Sequence, residues 1–156
     1  MDESGEIMAM WIPWAACVII GAALGYGAYT DAKTRTIPNL VPLVVLAAGF
    51  FTAGSLVGKL VTLSIFVVVF ALISHMTKIR SGGGDVKLYM AIAFSLGAFS
   101  LVVILVLTML LLKVADKVKG KKREKGERFP LCAYVFPAYL IYFFGYMVPA
   151  AIIAGR

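Results

Sequence analysis

Five stretches of this chain carry no Asp, Glu, Lys or Arg: Ile7–Thr30, Leu40–Gly58, Leu60–Thr77, Leu88–Leu112 and Phe129–Gly155. A helix needs roughly 17–25 residues to cross a bilayer, so each stretch is long enough for one span. Composition agrees. Of the 156 residues 62% are apolar and 15% charged, and the mean hydropathy is +0.94. Soluble domains sit near 45–50% apolar and about 25% charged, so this chain has too little polar surface to cover a soluble core. Disorder fails on the same composition, and two cysteines do not make a disulfide scaffold. The chain reads as an all-α integral membrane protein. No internal repeat or linker divides it, which leaves one transmembrane domain over 1–156.

The net charge of +7, with 15 Lys and Arg against 8 Asp and Glu, would suggest nucleic acid in a soluble protein. Here no basic run is interleaved with aromatics, so no nucleic-acid partner is expected. Positive-inside topology and contact with anionic lipid explain the charge. The first apolar stretch is preceded by Asp2, Glu3 and Glu6 rather than by bases, unlike a secretory signal, and Trp11 and Trp14 suit a membrane interface. Cys17 and Cys132 lie inside apolar runs with no CxxC pair, so no metal site is expected.

Charge also counts the spans. With five, one face would hold Lys33, Arg35, Lys78, Arg80, Lys87 and Arg156, and the other Lys59 plus all the bases from Lys113 to Arg128. That is no bias in the expected direction. Splitting the fourth stretch at Leu96-Gly97-Ala98-Phe99-Ser100 puts 13 of the 15 bases inside and leaves only Lys59 and Arg156 outside. The expectation is therefore a six-transmembrane-helix bundle in the cell (inner) membrane, N-terminus outside, with a basic cytoplasmic loop at 113–128. Its fourth and fifth helices, about Val86–Gly97 and Phe99–Leu112, are short. The fourth reaches only roughly 18 Å, and the fifth can continue into the cytoplasm until Gly120.

In this topology two aspartates meet one membrane face. Asp31 ends the first span, in Thr30-Asp31-Ala32-Lys33-Thr34-Arg35-Thr36-Ile37-Pro38-Asn39, and Asp85 opens the fourth, in Gly82-Gly83-Gly84-Asp85-Val86-Lys87-Leu88. Acids at bilayer depth are costly and suggest function, less so at the boundary. Alone, each has a structural explanation: Asp85 as a helix N-cap, Asp31 as the start of a turn. Together, with no other acid in the spans, they suggest a carboxyl dyad. In such a pair repulsion keeps one member protonated. The ionised member takes a proton from water while the protonated one hydrogen-bonds a scissile carbonyl. Peptide hydrolysis fits, and needs no metal or cofactor. Gly82, Gly83 and Gly84, free to take positive φ and lacking Cβ, offer a loop that an extended substrate can approach closely; a simple interhelical turn is the plain alternative.

The D-x-K-x-R-x-I-P-N run from Asp31 to Asn39 and the G-x-G-D-V-K-L run from Gly82 to Leu88 resemble the type IV prepilin peptidases, the GxGD aspartic proteases that include the preflagellin peptidases. Phe129-Pro130-Leu131 and Pro137 loosely resemble the family's proline-containing last motif. The resemblance implies that Asp31 and Asp85 are the catalytic pair, acting at the cytoplasmic face with the GxGD motif at the start of helix 4. It implies that Gly82 and Gly84 shape that motif, and that Lys33, Arg35, Pro38, Asn39 and Lys87 support the site. The implied substrate is a prepilin-like protein, cut between a short basic leader and an apolar helix. Many bacterial members carry an N-terminal cytoplasmic insertion with paired cysteines, associated with N-methylation. This chain has neither, so it resembles a short, peptidase-only form. The competing expectations are a small ion-coupled carrier, which should bring its acids to the midplane, and a non-catalytic pilus assembly factor, which would need neither motif.

Overall fold

Inside a bilayer every backbone N–H and C=O must find its partner within the protein, which leaves an open chain this apolar little choice but helix. The computed structural model describes residues 3–52, 54–77, 83–119 and 131–154, and among them there is no strand. Helix α1 runs Glu3–Thr34, α2 Leu40–Gly49, α3 Leu56–Thr77, α4 Gly83–Lys119 and α5 Cys132–Tyr142; a π turn at Phe143–Met147 carries α5 into α6, Val148–Ala154. Three helices are long and apolar enough to cross a membrane, over Ile12–Thr34, Gly83–Val118 and Cys132–Ala150, with shorter apolar helices at Leu40–Gly49 and Leu56–Ala71. This is a membrane protein. Gly82, Lys78, Arg80, Phe129, Pro130 and most of the basic loop lie outside the described residues.

Helix α4 has 37 residues and drawn straight would reach about 55 Å, far more than a bilayer core of about 30 Å. It is not straight. Gly97 sits at φ 82, ψ 174, a region essentially closed to residues with a Cβ. A Cβ there would touch nothing within 4 Å, so glycine is required by the backbone and not by space. Tyr89 and Thr108, on opposite sides of this break, lie side by side. Along a straight helix they would be roughly 28 Å apart. The helix therefore folds back at Gly97 into a first arm (83–96) and a second arm (98–119), at the position where the charge count asks for a split.

The second apolar stretch is a different matter. It is uncharged from Leu40 to Gly58, but α2 stops at Gly49, where it packs closely against another helix. A Cβ on Gly49 would overlap Ser95 of the first arm, whose hydroxyl bonds both Val45 O and Ala91 O at 2.7 Å. Past Gly49 the chain tightens, Phe50 N and Phe51 N bonding Ala47 O and Ala48 O at 3.3 and 3.0 Å. The Thr52 hydroxyl is shared between Gly49 O at 2.8 Å and Ser95 O at 2.5 Å. Lys59, only 7% exposed, then closes the end: its ammonium donates to Gly49 O, to Thr52 O at 2.8 Å and to Thr52 Oγ1 at 3.0 Å. A cation on the last carbonyls of a helix meets the negative end of its dipole.

Helix α1 receives α5 along a stripe of small residues. Cβ atoms on Gly21 and Gly25 would stand 3.2 Å from the rings of Tyr139 and Phe136, so glycine is what lets the two helices approach. Tyr139 Oη donates to Cys17 O at 2.7 Å. Farther along α5, Tyr142 and Ser100 of the second arm share a 2.6 Å hydrogen bond. Ile20, Leu24, Val45, Ile92, Ile104 and Val135 are fully buried between these helices. The outward face of α3, with Val57, Val61, Ile65 and Val68 exposed, has the composition of a lipid contact.

Candidate active site

Asp31 lies one turn before the end of α1, inside the helix rather than just after it. The helix stops at Arg35, whose backbone is left-handed at φ 55 and whose N–H still reaches Asp31 O at 2.8 Å. A left-handed residue is a usual way to leave a helix, and it swings Thr36–Asn39 across the bundle end. The Thr34 and Thr36 hydroxyls, 2.8 Å apart, brace the turn. Pro38 O accepts from Val41 N at 3.0 Å as α2 begins. Asn39 precedes α2 but makes no side-chain cap to it. Its Oδ1 is used elsewhere, accepting from Lys87 Nζ at 3.2 Å. That one bond fastens the first motif to the second.

The second motif begins α4. Gly83 and Gly84 are its first residues and Asp85 lies in its first turn. Neither of these glycines has positive φ; among the described glycines only Gly54 and Gly97 do. The expected conformational freedom is therefore not used at Gly83 or Gly84, because both already belong to the helix, and Asp85 is a first-turn residue and not the cap. Gly84 is where the loop after α1 packs on the second motif. A Cβ there would stand 3.4 Å from Ile37 Cβ and 3.8 Å from Ile37 O, so the loop after α1 rests on it. Gly83 faces open space.

This packing brings the Asp31 carboxyl within electrostatic reach of Asp85. Their settings differ. Asp31 is buried, 4% exposed, while Asp85 is half-buried at the end of the bundle. Asp31 Oδ2 accepts from Cys132 N at 2.8 Å, with Ala133 N close by. These are the first N–H groups of α5, which have no partner inside their own helix and carry its positive dipole end. Lys33 and Arg35 are exposed at the same end, and Lys87 is exposed beyond its bond to Asn39.

Two neighbours were not expected from sequence. Cys132 matters through its backbone N–H, a group with no sequence signature, and across 101 positions from Asp31. Its thiol lies within electrostatic reach of both carboxyls and leans on Leu24 O at 3.8 Å. Tyr89, one turn after Asp85, looks in sequence like one more core aromatic. Among the described residues no group of three or more His, Cys, Asp or Glu has the arrangement of a metal site.

Two acids that interact at one end of a helical bundle, one fixed on a helix N-terminus and one at the mouth, are equipped for proton transfer to and from a bound amide. A family model for the type IV leader peptidase family matches residues 18–115, a stretch that holds both aspartates and both motifs. No curated protein and no solved structure matches the chain.

Proposed function

The chain belongs to the type IV leader peptidase family, a family of proteases, and from that premise we propose that it is a membrane aspartic endopeptidase in which Asp31 and Asp85 are the catalytic pair. The observation that carries the reading is their interaction across the bundle, produced by the two motifs that Lys87 and Asn39 join. One carboxylate takes a proton from the attacking water as the other hydrogen-bonds the scissile carbonyl; the proton then passes to the leaving amine. Asp31, with Oδ2 held by Cys132 N, keeps a fixed orientation, and Asp85 stands where a substrate arrives.

The substrate we assign is a prepilin-like protein, cut between a short basic leader and an apolar helix at the cytoplasmic face of the cell membrane. A six-span topology with the N-terminus outside puts the site there. The fold-back of α4 at Gly97 supports six spans, since it turns one long helix into two crossings. The burial of Lys59 as a cap on α2 supports the orientation, because it removes an exposed base from the outer face. The chain lacks the cysteine-bearing insertion associated with methylation, and we propose peptidase activity alone.

The test uses the full chain in liposomes with a protein substrate that carries a basic leader ahead of an apolar helix, the products being read by mass. The reading predicts one cut, at the leader–helix junction. Cuts scattered within the helix, or none, would contradict it.

A further inference from the structure

Among the described residues, Tyr89 Oη is the one buried side-chain polar atom with no hydrogen-bond partner. Tyr89 is 7% exposed, so water does not readily make good the loss, and a phenylalanine would fill the same space without it. The hydroxyl's place is specific. Residues four apart share a helix face, and helical side chains lean toward the N-terminus, so the Tyr89 ring reaches back along the first arm toward the turn that holds Asp85. Asp85 on its own helix and Cys132 from α5 lie within electrostatic reach of it, and Asp31 from α1 lies beyond Cys132. Thr108 of the second arm is alongside and donates its own proton to Ile104 O at 2.7 Å; its oxygen keeps acceptor lone pairs, yet Tyr89 Oη makes no hydrogen bond to it.

We propose that Tyr89 is a positioning residue for the carboxyl pair, its hydroxyl donating to the Asp85 carboxyl when a substrate is engaged and holding that carboxyl toward the scissile bond. This rests on the reading of Asp31 and Asp85 as the catalytic pair. Asp85 is only half-buried, so a substrate that covers the bundle end takes away its water. The buried O–H beside it then becomes its replacement donor. The resting structure carries the unpaired hydroxyl, and the engaged complex satisfies it.

The experiment is Tyr89→Phe in the full chain in liposomes, with the leader-cleavage assay and a melting curve. We expect kcat to fall roughly ten- to a hundredfold, the range for one hydrogen bond to a charged group, with KM within about twofold and a melting temperature equal to or above that of the wild type. A kcat within about twofold of wild type overturns the proposal. So does a loss of kcat that comes with a lowered melting temperature, which would make Tyr89 a packing residue. Thr108→Val should keep wild-type kcat; a loss matching that of Tyr89→Phe would make Thr108 the partner and also overturn it. Asp85→Asn, run in parallel, separates the two levels. If it is inactive while Tyr89→Phe is fully active, only the positioning role fails; if it is active, the catalytic pair itself fails.

Discussion

Lys87 Nζ donates to Asn39 Oδ1 at 3.2 Å, joining a residue at the start of α2 to one in the first turns of α4. The bond lies at the exposed end of the bundle and joins the two motifs that carry the aspartates. Asn39 precedes α2 with helical backbone angles and makes no side-chain cap to it, so its amide is available for this bond.

Breaking this link should cost activity more than stability. An exposed polar pair of this kind contributes about 0.2–1 kcal/mol, so Lys87→Met and Asn39→Ala should each move the melting temperature little. Both should slow leader cleavage several-fold, by letting the two motifs drift. A double-mutant cycle on kcat/KM checks this: the double variant should be no worse than the poorer single one.

Lys59 makes the opposite prediction. Lys59→Met would leave Thr52 O without its buried donor and Gly49 O with the Thr52 hydroxyl alone, at a cost of about 1–3 kcal/mol. Thermal unfolding in detergent should show the loss. Cleavage per folded molecule should stay at the wild-type level, because the cap lies at the other end of α2 from the site.

At Gly84 size should decide the outcome. The residue is helical, so alanine should be tolerated, its Cβ in ordinary contact at 3.4 Å from Ile37 and its helix propensity better by roughly 1 kcal/mol. Gly84→Val adds two branches toward Ile37 and should displace the loop that carries Lys33 to Asn39. Activity per folded molecule is the measurement: near normal for alanine, strongly reduced for valine. Equal activity in both would remove the close-packing role.

Topology is tested by labelling single cysteines at exposed positions. Cysteines placed at Thr36 and Lys117 should react with an impermeant reagent only from the cytoplasmic side, and one at Ser55 only from outside. Lys117 reached from outside would mean that α4 crosses once and does not fold back. Gly97→Ala should strain the break by about 1–3 kcal/mol, seen as a lowered melting temperature.

Much of this was legible in the residues. The break at Gly97 follows from where the bases lie and from the turn-like Leu96-Gly97-Ala98-Phe99-Ser100; glycine suits it because the backbone there strongly disfavours a residue with a Cβ. The two aspartates stand out because acids are rare in such a chain. The end of α2 was not legible. Leu40 to Gly58 is one uncharged stretch, and the helix stops within it at Gly49, whose carbonyl Thr52 and Lys59 take up. Cys132 and Tyr89 were hidden for a similar reason. A backbone N–H and one tyrosine among many show their use only once α1, α4 and α5 are packed together.

The central claim is that both carboxyl groups do the chemistry. The direct measurement is leader cleavage by Asp31→Asn and Asp85→Asn in liposomes, each normalised to folded, inserted protein. An amide can neither take the proton from water nor return it to the leaving amine, so each single variant should show no cleavage above background while its insertion matches the wild type. Processing by either variant at close to the wild-type rate would contradict the account.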